Sequence, residues 1–84
     1  MKQEKNEIFI TDKPLDIMPR KGKKLSLIPL CDKVLGITLK NLKYPLCDFD
    51  LKMGDTIGIS NEFTDKTASI IFKEGILLVI ISND

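Results

Sequence analysis

The chain has 84 residues and a formal net charge of +1, which predicts one small domain over residues 1–84 and argues against nucleic-acid binding driven by bulk charge. It contains no histidine, the side chain that Ser- and Cys-based catalysis most often uses as a base. Its longest aliphatic run has six residues, Ile76 to Ile81, whereas a membrane-spanning helix needs about 20. No secretory signal is recognised at the start. We therefore expect a cytoplasmic protein that does not insert into membranes.

The first part of the chain predicts short strands separated by loops. The charged residues 1–6 are expected to fray, and residues 7–11 predict a strand that ends at a proline-containing turn. Residues 16–24 contain a proline, a glycine and four cations, and predict an exposed loop. Leu25 and Leu27 flank a serine in the next strand, which a proline ends or places at an edge.

The middle of the chain predicts one strand and one turn of helix. Residues 37–40 follow a glycine and alternate as a strand with Ile37 and Leu39 facing inward. In residues 41–53 a proline excludes a long helix. A single helical turn there would place three apolar side chains against the rest of the fold. These are Leu46, Phe49 and Leu51.

The last part of the chain predicts three consecutive strands. Residues 56–60 and 68–72 read as strands separated by a polar loop, and residues 73–75 supply a tight turn into the run 76–81. Counted together, roughly five or six short strands with turns between them predict an all-β small barrel, because closure removes exposed sheet edges. We expect residues 7–11 to pair with one of these strands and to close an edge.

The run 76–81 has two apolar faces. Period two sends Ile76, Leu78 and Ile80 to one face and leaves the alternate residues on the other. We expect the first face in the core, in a set of buried residues that comprises Ile37, Leu39, Ile57, Ile59, Ile70, Phe72, Leu78 and Ile80. The other face is then covered by another part of the chain or by a partner molecule. It comprises Leu77, Val79 and Ile81.

The most concentrated charge is a basic cluster in the predicted loop. It comprises Arg20, Lys21, Lys23 and Lys24. Four cations in five residues suit phosphates, anionic lipid or an acidic protein surface, and they equally suit a solvated loop. The cluster and the second face of the run 76–81 are the candidate partner-binding residues.

Metal and catalytic sites are not indicated. Cys31 and Cys47 lie in no metal-ligand spacing and are expected to be reduced, mostly buried thiols. Three carboxylates, Asp48, Asp50 and Asp55, suit either calcium or a solvated turn, and the ligand rhythm of a calcium-binding hand is missing. We predict no catalytic residue, no metal and no cofactor.

A stretch of the second half resembles the FeoA family. The resemblance comprises Lys43, Leu46, Phe49, Leu51, Gly54, the strand with Ile57 and Ile59, a seven-residue loop, residues 68–72, and Gly75 leading into residues 76–80. It implies a Src-homology-3-like barrel and an accessory role beside the membrane transporter for ferrous iron. Asp50 departs from the family, which has a glycine there.

Two other interpretations use the same residues. Residues 37–40, Leu42, Leu51 and residues 54–57 resemble the swapped-hairpin half-barrel of the AbrB and SymE type, whose dimers bind DNA or RNA. A small phage-type inhibitor that docks on a host protein is the third. The leading prediction is a non-enzymatic module that binds a protein partner, such as the cytoplasmic domain of a transporter, with nucleic acid less favoured and a homodimer left open.

Overall fold

The fold is all-β, as predicted. The computed structural model describes residues 6–54 and 59–83, without the side chain of Ile59. Within them the strands are β1 Glu7–Thr11, β2 Leu15–Ile17, β3 Lys24–Pro29, β4 Lys33–Lys40, β5 Leu46–Lys52, β6 Ile59–Glu62, β7 Ala68–Ile71 and β8 Leu77–Ser82. Eight strands thus replace the expected five or six. Over these residues, no helix long and apolar enough to cross a bilayer is found.

The strands form two antiparallel sheets of four. The first sheet has the order β1-β8-β3-β6 and the second β2-β7-β4-β5. The three strands predicted in succession do not pair with one another, because β6, β7 and β8 alternate between the sheets. The turn at residues 73–75 carries the chain from one sheet to the other, with Gly75 at φ 121 and an added Cβ there only 2.9 Å from the Val34 Cα. Tight turns in the sequence therefore marked chain reversals without identifying the paired strands.

The core lies between the two sheets. The first sheet contributes Leu25, Leu27, Leu77, Val79 and Ile81, and the second contributes Val34, Ile37, Leu39, Leu51, Ala68 and Ile70. Inward and outward side chains alternate along β1, β3, β7 and β8.

The predicted phase of the last strand is wrong. Leu77, Val79 and Ile81 are fully buried, and Leu78 and Ile80 are only half-buried on the outer face. The alternation was correct, but both faces of the run are aliphatic, so the sequence could not choose between them. Burial of Ile37, Leu39, Ile70 and Phe72 is confirmed. Ile57 and the side chain of Ile59 lie outside the described residues.

The N-terminal strand forms one edge of the first sheet and covers the edge of β8. β1 pairs antiparallel with β8 over its whole length, from Glu7 opposite Ile81 to Thr11 opposite Leu77, which confirms the predicted pairing. The exposed loop predicted over residues 16–24 is partly wrong, because it overlaps β2, which pairs with β7 and buries Ile17. The exposed connection is shorter than the sequence indicated.

The predicted helical turn is a strand with a bulge. β4 and β5 shift register twice, and the left-handed residues there are Gly36 at φ 66 and Asp48 at φ 52. A bulge inserts one residue into the alternation of a strand, so Leu46 and Phe49 lie three apart yet oppose inward-facing β4 residues. A spacing of three residues is also typical of one face of a helix, which is why the sequence predicted a helical turn here. Because β5 is an edge strand, Phe49 stays 42% exposed.

Candidate ligand-binding site around Asn61

Asn61 is the one polar side chain that is buried among the described residues, at 1% exposure. It lies on β6 opposite Leu25 of β3 and faces the core. A buried amide is costly unless its hydrogen-bonding capacity is used. Its bonds therefore indicate what this side chain holds in place.

The Asn61 amide binds a neighbouring piece of backbone at both of its ends. Its Oδ1 accepts from the Tyr44 N–H at 2.8 Å and from the Glu62 N–H at 2.9 Å, and its Nδ2 donates to the Tyr44 carbonyl at 2.6 Å. Three bonds on one buried side chain fix the position of Tyr44 relative to β6.

These bonds attach a covering segment, residues 41–45, to the edge of β6 that does not pair with β3. The Lys43 N–H donates to the Glu62 carbonyl at 3.0 Å, and the Thr64 hydroxyl donates to the Asn41 carbonyl at 2.7 Å. Asn41 is left-handed at φ 64 and Pro45 has no N–H, so the segment cannot extend as a regular strand. The edge is protected without a fifth strand in the sheet.

The covering segment presents an exposed aromatic ring beside a carboxylate. Tyr44 is 52% exposed, the Lys43 Nζ lies 5.3 Å from the centroid of its ring, and the same Nζ lies 3.7 Å from the Glu62 Oε1. Interaction with the Tyr44 side chain, and after it the charge of Glu62, raises the pKa of Lys43 above its ordinary value. This place stabilises a positive charge.

A cavity of about 430 Å³ lies beside this arrangement. It is lined by Pro19, Lys21, Phe63, Thr64 and Asp65. Thr64 contributes to both the cavity and the covering segment, since its hydroxyl also donates to the Asn41 carbonyl. The cavity therefore continues the site beyond the end of β6.

The structure separates the predicted partner-binding residues. Arg20 binds the Glu7 carboxylate at 2.8 and 3.0 Å, whereas Lys21 lines the cavity. Lys24 lies on β3 opposite Glu62. Leu77, Val79 and Ile81 are in the core and present no surface. Partner binding by the basic cluster stays a prediction.

The structure shows the burial and the hydrogen bonds of the cysteines and carboxylates. Cys31 is half-buried and its Sγ accepts from the Ile76 N–H at 3.3 Å, but Cys47 is exposed, contrary to the expected burial. The Asp50 Oδ1 accepts from the Gly36 N–H at 2.9 Å at the bulge, and Asp55 lies outside the described residues. No cluster of three or more His, Cys, Asp or Glu suited to a metal ion is found within residues 6–54 and 59–83.

The sequence interpretation missed Asn61 and Tyr44. A signal for Asn61 was present, because it continues the period-two positions of Ile57 and Ile59 and so shares their predicted inward face. It was instead assigned to the polar loop. Tyr44 carried no such signal, since its placement depends on contacts with a strand 17 positions away.

Comparisons with known proteins agree on one family. The family described as "Thiamin pyrophosphokinase, vitamin B1 binding domain" matches residues 6–77. The thiamine pyrophosphokinase of Bacillus subtilis (strain 168) is 37% identical over 60 residues, which are 71% of this chain and 28% of that protein.

Solved structures give the same result. The thiamin pyrophosphokinase of Geobacillus thermodenitrificans superposes with a TM-score of 0.86 at 32% identity, and the Bacillus subtilis enzyme with 0.85 at 33% identity. Each comparison covers 94% of this chain and 38% of the other. The chain thus spans well under half the length of the relatives it matches.

These findings correct the functional predictions. The FeoA resemblance and its iron-transport role are wrong, as are the nucleic-acid regulator and the non-enzymatic protein-binding module, because the relatives are thiamine pyrophosphokinases, which are enzymes. A glycine turn at a given distance from short strands recurs in many small β folds, so the spacing that suggested FeoA was not specific.

Proposed function

The chain belongs to the vitamin-B1-binding-domain family of thiamin pyrophosphokinases, and from that premise we propose that it binds thiamine and contributes this binding to a thiamine pyrophosphokinase. The observation that carries the proposal is the family match over residues 6–77, which contains the whole Asn61 arrangement. Pyrophosphoryl transfer to thiamine is proposed for the complete protein, since the chain spans 28% of its Bacillus subtilis relative.

The chemistry of thiamine suits the surface beside Asn61. Thiamine is an aromatic cation, and an exposed tyrosine ring next to a carboxylate attracts such a ligand through cation–π and ionic contacts. The structure already holds the Lys43 ammonium at this place, near both the Tyr44 ring and Glu62. We assign Tyr44 to stacking and Glu62 to pairing with the positive charge.

The buried amide gives this surface its rigidity. Because Asn61 fixes the backbone of Tyr44 at both its N–H and its carbonyl, only the side-chain torsions of Tyr44 are left to be ordered when a ligand arrives, which favours affinity. Asn61 is thus a positioning residue. We place the protein in the cytoplasm, and the two free cysteines of the described chain are compatible with a reducing compartment.

Tyrosine fluorescence tests the proposal directly. The chain has one tyrosine and no tryptophan, so its emission reports on Tyr44 alone. Thiamine should change this emission in a saturable way and release heat in calorimetry with the same dissociation constant. Tyr44→Ala should weaken binding by about tenfold, the loss expected for one stacking contact, and Tyr44→Phe should retain it.

Phe49→Ala is the matched control. Phe49 is also an exposed aromatic residue, at 42% exposure on β5, and its removal should leave thiamine affinity unchanged. Absence of any thiamine-dependent heat and emission change in the wild-type chain would contradict the proposal. Equal loss of affinity in Tyr44→Ala and Phe49→Ala would contradict the assignment of Tyr44.

A further inference from the structure

Backbone hydrogen bonds place Lys43, Tyr44 and Glu62 next to one another. The Lys43 N–H donates to the Glu62 carbonyl at 3.0 Å. The Asn61 Oδ1 accepts from the N–H groups of both Tyr44 and Glu62, at 2.8 and 2.9 Å. The lysine, the aromatic ring and the carboxylate therefore start from backbone positions that the fold fixes.

The Lys43 ammonium occupies the two groups that we assign to the ligand. Its Nζ lies 5.3 Å from the centroid of the Tyr44 ring, within the distance of a cation–π contact. The same Nζ lies 3.7 Å from the Glu62 Oε1. The Tyr44 side chain first, and then the charge of Glu62, raise the pKa of Lys43, which means that both neighbours stabilise its charged form. The ring and the carboxylate thus already have a cation.

The contacts of the Lys43 ammonium are weak enough to be exchanged. The side chains of Lys43 and Glu62 are 54% and 40% exposed, and Tyr44 is 52% exposed. Ion pairs and cation–π contacts contribute little at exposed positions, because water and salt screen the charges. A ligand with its own positive charge and an aromatic ring can therefore displace the ammonium, but it has to compete with it.

We propose that Lys43 is an internal competitor of thiamine, whose ammonium contacts the Tyr44 ring and the Glu62 carboxylate in the free protein and leaves both when the ligand binds. The proposal rests on the proposed binding of thiamine at this surface. Because the Lys43 N–H is bonded to the Glu62 carbonyl, the displaced side chain remains nearby and returns when the ligand dissociates. Binding is thus an exchange of one cation for another, which lowers the affinity for thiamine.

Calorimetric titration of Lys43 variants with thiamine tests the exchange. Lys43→Met removes the ammonium and keeps an unbranched apolar side chain, whereas Lys43→Arg keeps a cation. Lys43→Met should bind thiamine about fivefold more tightly than the wild type, the gain expected when a weak internal competitor is removed. Lys43→Arg should show no gain.

Lys24→Met is the matched control for the change in charge. Lys24 is an exposed lysine directly opposite Glu62 across the β3–β6 pairing, so its replacement removes one positive charge beside the same carboxylate. It should change thiamine affinity by less than about twofold. Equal gains in Lys43→Met and Lys24→Met would overturn the competition, because the effect would then be a general attraction for cations. Weaker binding by Lys43→Met would also overturn it, because Lys43 would then help to hold the ligand.

Nuclear magnetic resonance observes the displacement itself. Protons near the face of an aromatic ring are shifted by its ring current, so the terminal methylene signal of Lys43 should be shifted in the free wild type. Tyr44→Ala gives the position of that signal without the ring. Saturation of the wild type with thiamine should move the signal to this position. A Lys43 signal that thiamine leaves unchanged would overturn the displacement.

The outcomes separate this proposal from thiamine binding itself. If the wild type binds thiamine and Lys43→Met binds it no more tightly, the competition is overturned and thiamine binding stands. If neither the wild type nor Lys43→Met binds thiamine, the proposed function is overturned and the competition with it.

Discussion

Two regions of the molecule leave regular sheet geometry, and they do so at opposite levels of burial. In the first, Asn61 attaches the covering segment to β6 from a position that is 1% exposed. In the second, the β4–β5 ladder bulges at Gly36 and Asp48, and the side chains of Asp50 on β5 and Thr38 on β4 complete the backbone bonds. In both regions, side chains supply the hydrogen bonds that some backbone groups do not make within the strand ladder.

The difference between the two regions shows where the loss of one polar side chain destabilises the fold. Water can replace Asp50 or Thr38 as a bonding partner near the exposed edge, but it cannot replace Asn61 without entering the core. The buried arrangement should therefore be intolerant of substitution. The bulge should accept most changes at modest cost.

Removing the buried amide should have the largest effect. Asn61→Ala leaves two N–H groups and one carbonyl without their partner, which should lower the free energy of unfolding by about 2–4 kcal/mol. Urea denaturation followed by circular dichroism measures this. A loss below about 1 kcal/mol would mean that water reaches these groups. The Asn61 region would then be no less tolerant of substitution than the bulge.

Substitution of the bulge glycine should have an intermediate effect. Gly36→Ala adds a Cβ at φ 66, 2.8 Å from two Lys73 side-chain carbons, whereas Gly22→Ala meets nothing within 4 Å at φ 81. Both changes carry the left-handed penalty of roughly 1–2 kcal/mol. Because the contacted carbons, Cγ and Cδ, lie in the middle of the Lys73 side chain, that side chain must change its rotamer, and the excess for Gly36 should be about 0.5–1.5 kcal/mol. If the excess loss of unfolding free energy in Gly36→Ala were larger than the loss in Asn61→Ala, the bulge would be the less tolerant of the two regions.

Removing the partner of the bulge N–H should cost less. Asp50→Ala removes the acceptor for the Gly36 N–H and should lower the free energy of unfolding by about 0.5–1.5 kcal/mol, the usual contribution of one hydrogen bond. Asp12→Ala, an exposed carboxylate in the β1–β2 turn, serves as the control. Similar small losses in both variants would show that water substitutes fully at the bulge.

The half-buried ion pair between Arg20 and Glu7 should have the smallest effect, visible in its pH dependence. The Arg20 hydrogen bond lowers the pKa of Glu7 in the folded protein, so the pair stabilises the fold above the carboxyl pKa of the unfolded chain, and this contribution is lost as the pH falls through the folded pKa. Glu7→Gln should flatten stability in that acidic range. An unchanged acid limb in urea denaturation would show that the pair adds nothing measurable.

Local sequence patterns predicted much of the secondary structure for a physical reason. Strand positions such as Leu25, Leu27, Ile37 and Leu39 alternate with polar neighbours, so their inward phase follows from period two alone. The helical turn failed because the bulge changed that period at Asp48. A bulge depends on the facing strand, and no local pattern in β5 announces it.

By itself the sequence determined an all-β domain with strands near residues 7–11, 25–27, 37–40, 68–72 and 76–81, because alternation, glycine turns and prolines act locally. Only the tertiary structure decided which strands pair and which face of β8 enters the core, since both faces of that strand are aliphatic and its neighbours β1 and β3 set its orientation. It also decided the site, because Tyr44 and Asn61 meet only when the covering segment packs against β6. Side chains distant in sequence acquire a joint chemical role through packing, which no local pattern records.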